Sequence, residues 1–425
     1  MIHLCPRANL SLGHEDLMKT APATLFYALF PFACGYFLSF LLRSVNAVTA
    51  PDLTSEFGLG PAQLGFLTAA YFVSFALFQL PLGVLLDRYG ARRVQTCLLL
   101  LAAAGCLVFA YAEGLPMLVS GRAIIGLGFS AGLMASYKSS SVWVPFERRA
   151  LANSAIMSAG ALGLVVATEP TAYVVMLIGW RNVFLAFAAI ISLVAGFIFL
   201  AVPEKPQSAT PPSVLRQTRE MAAILRTPLF WRVAPMLGLS AGIGMAYQSL
   251  WAGPWFLDVM QLSRPDAARH LLWMGVAFLL GILFAGVVAD RLQNMGVSIM
   301  KIYLAFMVPH TFAQLLLVLN IGGASFFAWL LLSAASQSAV LAFPWFAARI
   351  GEGMAGRANA TINFSMFVVA FATQYGVGLV LSFWPRTAAG GYAPEGYSAA
   401  FAIFLSLQVI AIIWYLLGAK GEAAP

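Results

Sequence analysis

The sequence predicts an all-α membrane protein whose twelve transmembrane helices form two pseudo-symmetric six-helix bundles. Three observations carry this prediction. Of 425 residues, 61% are hydrophobic and 9% charged, whereas soluble domains carry about 25% charged residues; the mean hydropathy is +0.86. Twelve apolar runs are each long enough to cross roughly 30 Å of hydrocarbon. One charged turn also occurs twice, as Gly83-Val84-Leu85-Leu86-Asp87-Arg88 and, 203 residues later, as Gly286-Val287-Val288-Ala289-Asp290-Arg291. Each copy closes an apolar run and keeps the Gly-x3-Asp-Arg spacing, the signature of a duplicated membrane protein.

In chain order, residues 1–21 read as a cytoplasmic tail. Arg7, His14, Glu15, Asp16 and Lys19 fall there with no apolar segment of the kind a cleavable signal needs. Met18 offers an alternative start that would leave residues 1–17 as a disordered extension. The first bundle, 22–202, contains spans at 22–48, 62–82, 93–112, 116–143, 150–175 and 183–202. A linker at 203–231 follows, holding Pro203, Pro206, Pro211 and Pro212 with Lys205, Arg216, Arg219 and Arg226, and a short surface helix is expected at 213–226. The second bundle, 232–418, contains spans at 232–256, 269–289, 298–319, 324–347, 358–383 and 398–418, and 419–425 form a cytoplasmic tail.

Within the repeated turn, Gly83 lets a neighbouring helix approach closely and Gly90 permits a positive φ. Asp87 is suited to capping a helix N-terminus, and Arg88, Arg92 and Arg93 favour the cytoplasmic side. With the N-terminus inside, 17 Lys and Arg fall on the cytoplasmic side, 4 on the opposite side, and 3 (Arg43, Arg122 and Lys138) within spans. Both termini are therefore expected in the cytoplasm, and a bacterial inner membrane is the expected setting.

Other classes find little support. The net charge of +8 is spread through short loops, as membrane topology requires, and not gathered into a nucleic-acid surface. Cys5, Cys34, Cys97 and Cys106 have no metal-ligand spacing. No G-x4-G-K-[ST] loop and no catalytic constellation is present, so neither an enzyme nor a cofactor is expected.

The residues then resemble a known family over essentially the whole chain. The 83–93 stretch, Gly83 through Arg93, matches the signature loop of the major facilitator superfamily, and Arg122-x3-Gly126-x-Gly128 is similar to the family's motif in the fourth helix. The antiporter signature in helix 5 is half present: Ser158-Ala159-Gly160-Ala161-Leu162-Gly163 is followed by Thr168-Glu169-Pro170 where the family has Gly-Pro. That departure speaks against a drug/proton antiporter. Arg43-Ser44-Val45-Asn46 also resembles an Arg-x-x-Asn segment of the superfamily's organic-anion branch. The resemblance implies two bundles rocking about a central cavity lined by spans 1, 4, 7 and 10. It implies a cytoplasmic gate at Gly83, Asp87, Arg88, Gly90 and Arg92, with Asp290 and Arg291 as its second copy.

Ionisable and amide side chains inside spans mark cavities or partners. Arg43 and Asn46, three residues apart, share a helix face, and Gln248 and Trp251 repeat that spacing in the seventh span. Lys138 and Gln337 each precede a proline, Pro145 and Pro344, by seven residues in spans four and ten. Asn363 and Gln374 complete the expected substrate-binding set. Arg43 and Lys138 are alternatively placed to snorkel, and the amides to bond across helices. Glu169, the one carboxylate well inside a span, is expected to pair with Arg122 or to exchange a proton; His310 is the other proton-coupling candidate, or a packed core histidine. Trp255 is expected in the interfacial belt.

With three cations against one anion inside the spans, the expected function is secondary transport of a small organic anion, a carboxylate, by alternating access, with proton symport open and a monomer expected. Three alternatives stand beside it. One is a multidrug or cation exporter, which would want acids in spans 1 and 4. A second is a copper importer using His270 and Met274, and a third is a sensor that transports nothing.

Overall fold

A computed structural model describes residues 22–145, 148–203, 214–351, 354–388 and 390–419. Among the described residues every regular element is helical, the arrangement that satisfies backbone polar groups within each segment in hydrocarbon.

Two helical stretches are far longer than a bilayer needs. Pro61–Ala110 spans 50 residues, about 75 Å at 1.5 Å per residue, but Gly90 breaks it with φ 78° and ψ 161°. Gly179 breaks Glu169–Ala201 in the same way, with φ 78° and ψ 155°. A side chain at that φ would be strained, so glycine is what allows both reversals. Counting each broken stretch as two, and Arg149–Val166 with 169–178 as one interrupted span, gives twelve. The duplicated turn is not a perfect copy. Its positive-φ residue is Gly90, three after Asp87, in the first half and Gly296, six after Asp290, in the second.

The spans expected to line the cavity are all discontinuous. Span 1 divides into Pro22–Ser44 and Asn46–Phe57, and span 4 into Leu115–Phe129 and Gly132–Trp143. Span 7 (228–258) carries a π-helical segment, Tyr247–Trp251, followed closely by Pro254, which has no amide to continue the ladder. Span 10 (322–350) tightens into a 3₁₀ segment, Ser336–Ala342, ahead of Pro344.

We term the face carrying Glu56 outer and the face carrying Asp87 inner. The halves meet tightly on the outer side. A Cβ added at Gly253 would lie 2.1 Å from the Ala47 carbonyl, and one at Gly378 would lie 2.3 Å from that of Pro61. A Cβ at Gly65 would lie 2.7 Å from the Gln374 carbonyl. Pro51 cannot donate to the Ala47 carbonyl, so this acceptor is open to the Gly253 backbone. Arg264 pairs with Asp52 at 2.8 Å, and Arg386 donates to the Leu59 carbonyl at 2.8 Å. Nearer the middle, Phe75 and Phe367 stack across the halves at 4.2 Å.

The inner side holds a cavity of about 460 Å³ lined by Gln79, Asp87, Tyr137, Lys138, Gln217 and Arg357. The linker helix, expected at 213–226, is Val214–Leu225. Met221 and Ile224 are buried, Gln217 lies against Gly83, and the Glu220 carboxylate bonds Arg357 at 2.6 Å. It thereby touches the inner ends of spans 2 and 11, one from each half.

Because the outer contacts are backbone to backbone, Gly253→Val should force them apart. Spin labels at the exposed positions Ser55 and Glu395 are expected to report a longer outer-face distance than in the parent chain. An unchanged distance distribution would show that the glycine does not set the closure.

Candidate substrate site

Arg43 ends the first segment of span 1. Its guanidinium lies 3.7 Å from the centre of the Phe40 ring, one turn earlier on the same helix. It is half-buried, makes no hydrogen bond or ion pair with any described residue, and its nitrogens keep contact with solvent. Asn46, across the break, is buried and donates Nδ2 to Thr68 Oγ1 at 2.8 Å, while its Oδ1 has no partner. Val45, between them, keeps helical φ and ψ of −58° and −24°, so Arg43 and Asn46 stay on one side of the span across the local break in the ladder.

From the second half, Gln248 lies in the π segment with a buried, unpartnered Nε2. The Trp251 indole donates to the Gln374 carbonyl at 3.0 Å. Gln374 is buried; its Oε1 accepts from Ser249 at 3.4 Å and its Nε2 is unpartnered. Asn363 is half-buried in Ala355–Leu381, and Gln337 is half-buried in the 3₁₀ segment. Thus the repeat-related pairs Arg43/Asn46 and Gln248/Trp251 both fall where the regular α-helical hydrogen-bond ladder is interrupted. Non-helical backbone at this depth is tolerated where it is enclosed by protein or lines a cavity.

Four expectations change. Lys138 is not a free cation beside Arg43: its Nζ pairs with Asp87 Oδ1 at 2.8 Å, with the two side chains 31% and 42% exposed at the inner mouth. Asp87 consequently faces Lys138 instead of capping a helix. Arg122 and Glu169 do not meet. Arg122 is fully buried between the rings of Phe109 and Phe184 and donates Nη1 to the Leu42 carbonyl at 2.7 Å. Glu169 instead begins a helix toward the outer face, 3.6 Å from Arg269, and is partly exposed. Trp255 is 1% exposed, packed against Phe256 and Trp329, and so is a core residue and not part of an interfacial belt.

His310 is buried in span 9, with Gln408 of span 12 beside it. Its Nδ1 lies 3.1 Å from Gln314 Nε2 and 2.9 Å from Gln408 Nε2, so two amides enclose the ring. His270 has its ring against Phe256 and Phe326 and its Nδ1 2.8 Å from the Asp266 carbonyl, a packed setting with Met274 buried one turn on.

In the loop after span 2, Arg88 lies over the Tyr89 ring and Arg92 over Phe199, both contacts within the first half. Asp290 and Arg291 are exposed. The motif glycines of span 4 serve packing: a Cβ at Gly126 would lie 2.3 Å from the Tyr71 carbonyl, and one at Gly128 would lie 2.5 Å from the Ala102 amide.

The sequence reading passed over Gln79, whose Nε2 donates to the Ser130 carbonyl at 2.9 Å where span 4 breaks. It also passed over the Glu220–Arg357 contact. Gln79 was discoverable as an amide inside an apolar run, two residues before Pro81. Nothing local marks Arg357 as a partner for Glu220.

This architecture and these motifs place the chain in a family. The model of the Major Facilitator Superfamily matches residues 32–374, and the chain belongs to that superfamily. Among curated relatives, it is 26% identical over 285 residues to the uncharacterized transporter YybO of Bacillus subtilis, covering 63% of this chain and 65% of the relative. It is 24% identical to the probable sulfoacetate transporter SauU of Cupriavidus necator, covering 61% and 63%. It is 23% identical to the niacin transporter NiaP of Acinetobacter baylyi, covering 87% and 80%. The match spans about two thirds of the length of the first two relatives. A solved bacterial homologue of the human lysosomal transporter Spinster shares the fold with TM-score 0.75 at 18% identity, covering 94% of this chain and 98% of that one.

The position of Glu169 generates a prediction. A partly exposed ion pair contributes roughly 0–1 kcal/mol. Glu169→Gln is therefore expected to change stability by no more than that and to leave the rate of anion uptake unchanged. A proton-gradient-driven component of uptake that disappears in Glu169→Gln would return Glu169 to a proton-carrying role.

Proposed function

We propose that the chain is a secondary transporter of a small organic anion, with Arg43 holding the acid group. The observation that carries this reading is the state of Arg43: a guanidinium at membrane depth, open to solvent and without an acid partner among the described residues. Such a group is costly to keep unless a ligand completes it. Its planar fork suits a carboxylate or sulfonate bidentately.

The polar groups offered by the second half (Gln248, Gln337, Asn363 and Gln374) are neutral amides, suited to hydrogen-bonding the body of the solute. The organic acids in the relatives' names, sulfoacetate and niacin among them, fit the same chemistry. A carboxylate is the working substrate class. Lys138, paired with Asp87, belongs to the inner gate in this reading and does not hold substrate. The cation-exporter alternative loses ground because no described acid lies near Arg43. The glycine-sealed outer face and the inner cavity are the features expected of an inward-facing state of an alternating-access carrier, with the inner face cytoplasmic by the distribution of Lys and Arg.

The test compares Arg43→Lys with Arg43→Ala in proteoliposomes, using D-galactonate, sulfoacetate and nicotinate as probes. Arg43→Lys keeps the charge and loses the fork, so affinity should fall by about 1.5–3 kcal/mol, the range for a charge-assisted hydrogen bond. Arg43→Ala should abolish binding. Wild-type affinity in Arg43→Ala would falsify the site.

A further inference from the structure

We propose that this transporter is an obligate anion exchanger, an inference that rests on the anion reading above and adds its mode of coupling. It comes from the distribution of charge at membrane depth. Arg43 and Arg122 lie there without a carboxylate partner among the described residues. The described acids lie elsewhere. Asp52, Glu56, Glu169 and Asp258 belong to the outer side, bonded to Arg264, Arg181, Arg269 and Tyr397 respectively. Asp87 and Glu220 belong to the inner side, bonded to Lys138 and Arg357. The remaining four occupy loops or terminal turns of helices.

Histidine does not fill the gap. His310 is enclosed by Gln314 and Gln408 between spans 9 and 12, and His270 is packed at the outer end of span 8. Near Arg43, therefore, no described carboxylate or imidazole is available to switch the charge of the site by gaining or losing a proton. The positive charge of the empty site is fixed.

Fixed charge constrains the transport cycle. Arg43 is half-buried, and its guanidinium, not sealed from solvent, can be hydrated. To change access the carrier must pass through a state closed on both faces, and closure strips that water away. An unpaired guanidinium in a dry interior carries a large desolvation penalty. Arg122, bonded to the carbonyl of Leu42 next to Arg43 in the chain and enclosed by two aromatic rings, adds a second positive charge. A bound carboxylate or sulfonate replaces the lost water with charge-assisted hydrogen bonds and cancels one of the two charges. The loaded carrier therefore changes access readily and the empty carrier stalls. Each anion released on one side must be followed by another before the site can return. A proton-coupled carrier escapes this requirement with a carboxylate that is ionised when the site is empty, and no described residue supplies one here.

The experiment uses the full chain in proteoliposomes with labelled D-galactonate, sulfoacetate and nicotinate as probes. Uptake is measured into vesicles preloaded with the same unlabelled anion and into vesicles free of it, with and without an inward proton gradient. For any probe that is transported, preloading should accelerate uptake at least about tenfold, equivalent to roughly 1.4 kcal/mol in the barrier. The proton gradient should not substitute for the internal anion. Accumulation in anion-free vesicles driven by the proton gradient, at a rate matching exchange, overturns the proposal and leaves the anion reading standing. If no probe is bound or moved in any mode, the anion reading fails and exchange with it.

Discussion

In hydrocarbon, a backbone group that leaves the helical ladder has no water to turn to, and this constraint organises the centre of the molecule. All four cavity-lining spans depart from regular α-helix midway, and side chains from neighbouring spans take up carbonyls nearby. Arg122 reaches across to the Leu42 carbonyl beside the break in span 1, and Gln79 reaches the Ser130 carbonyl at the break in span 4. Outside the centre the same logic holds: Pro235 cannot donate to the Trp231 carbonyl, and the Trp414 indole does so at 3.1 Å. Irregular backbone is thus tied to polar side chains from neighbouring spans.

The second organising element is the use of glycine in two distinct roles. Gly90 and Gly179 turn the chain through conformations that other residues resist, and so divide two over-long helices into four spans. Gly65, Gly253 and Gly378 instead lie within helices, where the absence of a side chain brings the halves into backbone contact. A closure of this kind carries little interlocking side-chain structure. Around it, partly exposed pairs such as Arg264–Asp52 add modest attraction. A seam built this way suits a carrier that must open it repeatedly.

Charge is segregated by depth. Carboxylates and their partners occupy the two faces, whereas the middle holds two arginines and a set of neutral amides. Burial of a guanidinium without a counterion costs stability that a protein designed only to fold would not give up. Its presence beside the interruptions of spans 1 and 4 is what the proposed anion site rests on.

The sequence by itself determined the twelve spans, the duplication and the reversal at Gly90. Each depends on local composition: apolar runs long enough for the bilayer, and glycine where φ must be positive. It also marked Arg43, Asn46, Gln248 and Gln374, because a polar side chain inside an apolar run is conspicuous without any knowledge of its neighbours. What only the tertiary structure decided is who meets whom. Lys138 and Arg43 looked alike as cations within spans, yet Lys138 lies opposite Asp87 across the gap between spans 4 and 2, while Arg43 meets no acid among the described residues. Glu169 and Arg122 looked like partners, but the break at residues 167–168 and the run of the fifth span leave Glu169 beside Arg269 of the other half. Hydrophobicity assigns a residue to the membrane. The azimuth and depth of its side chain, and hence its partner, follow from how helices pack against one another, which no single span encodes.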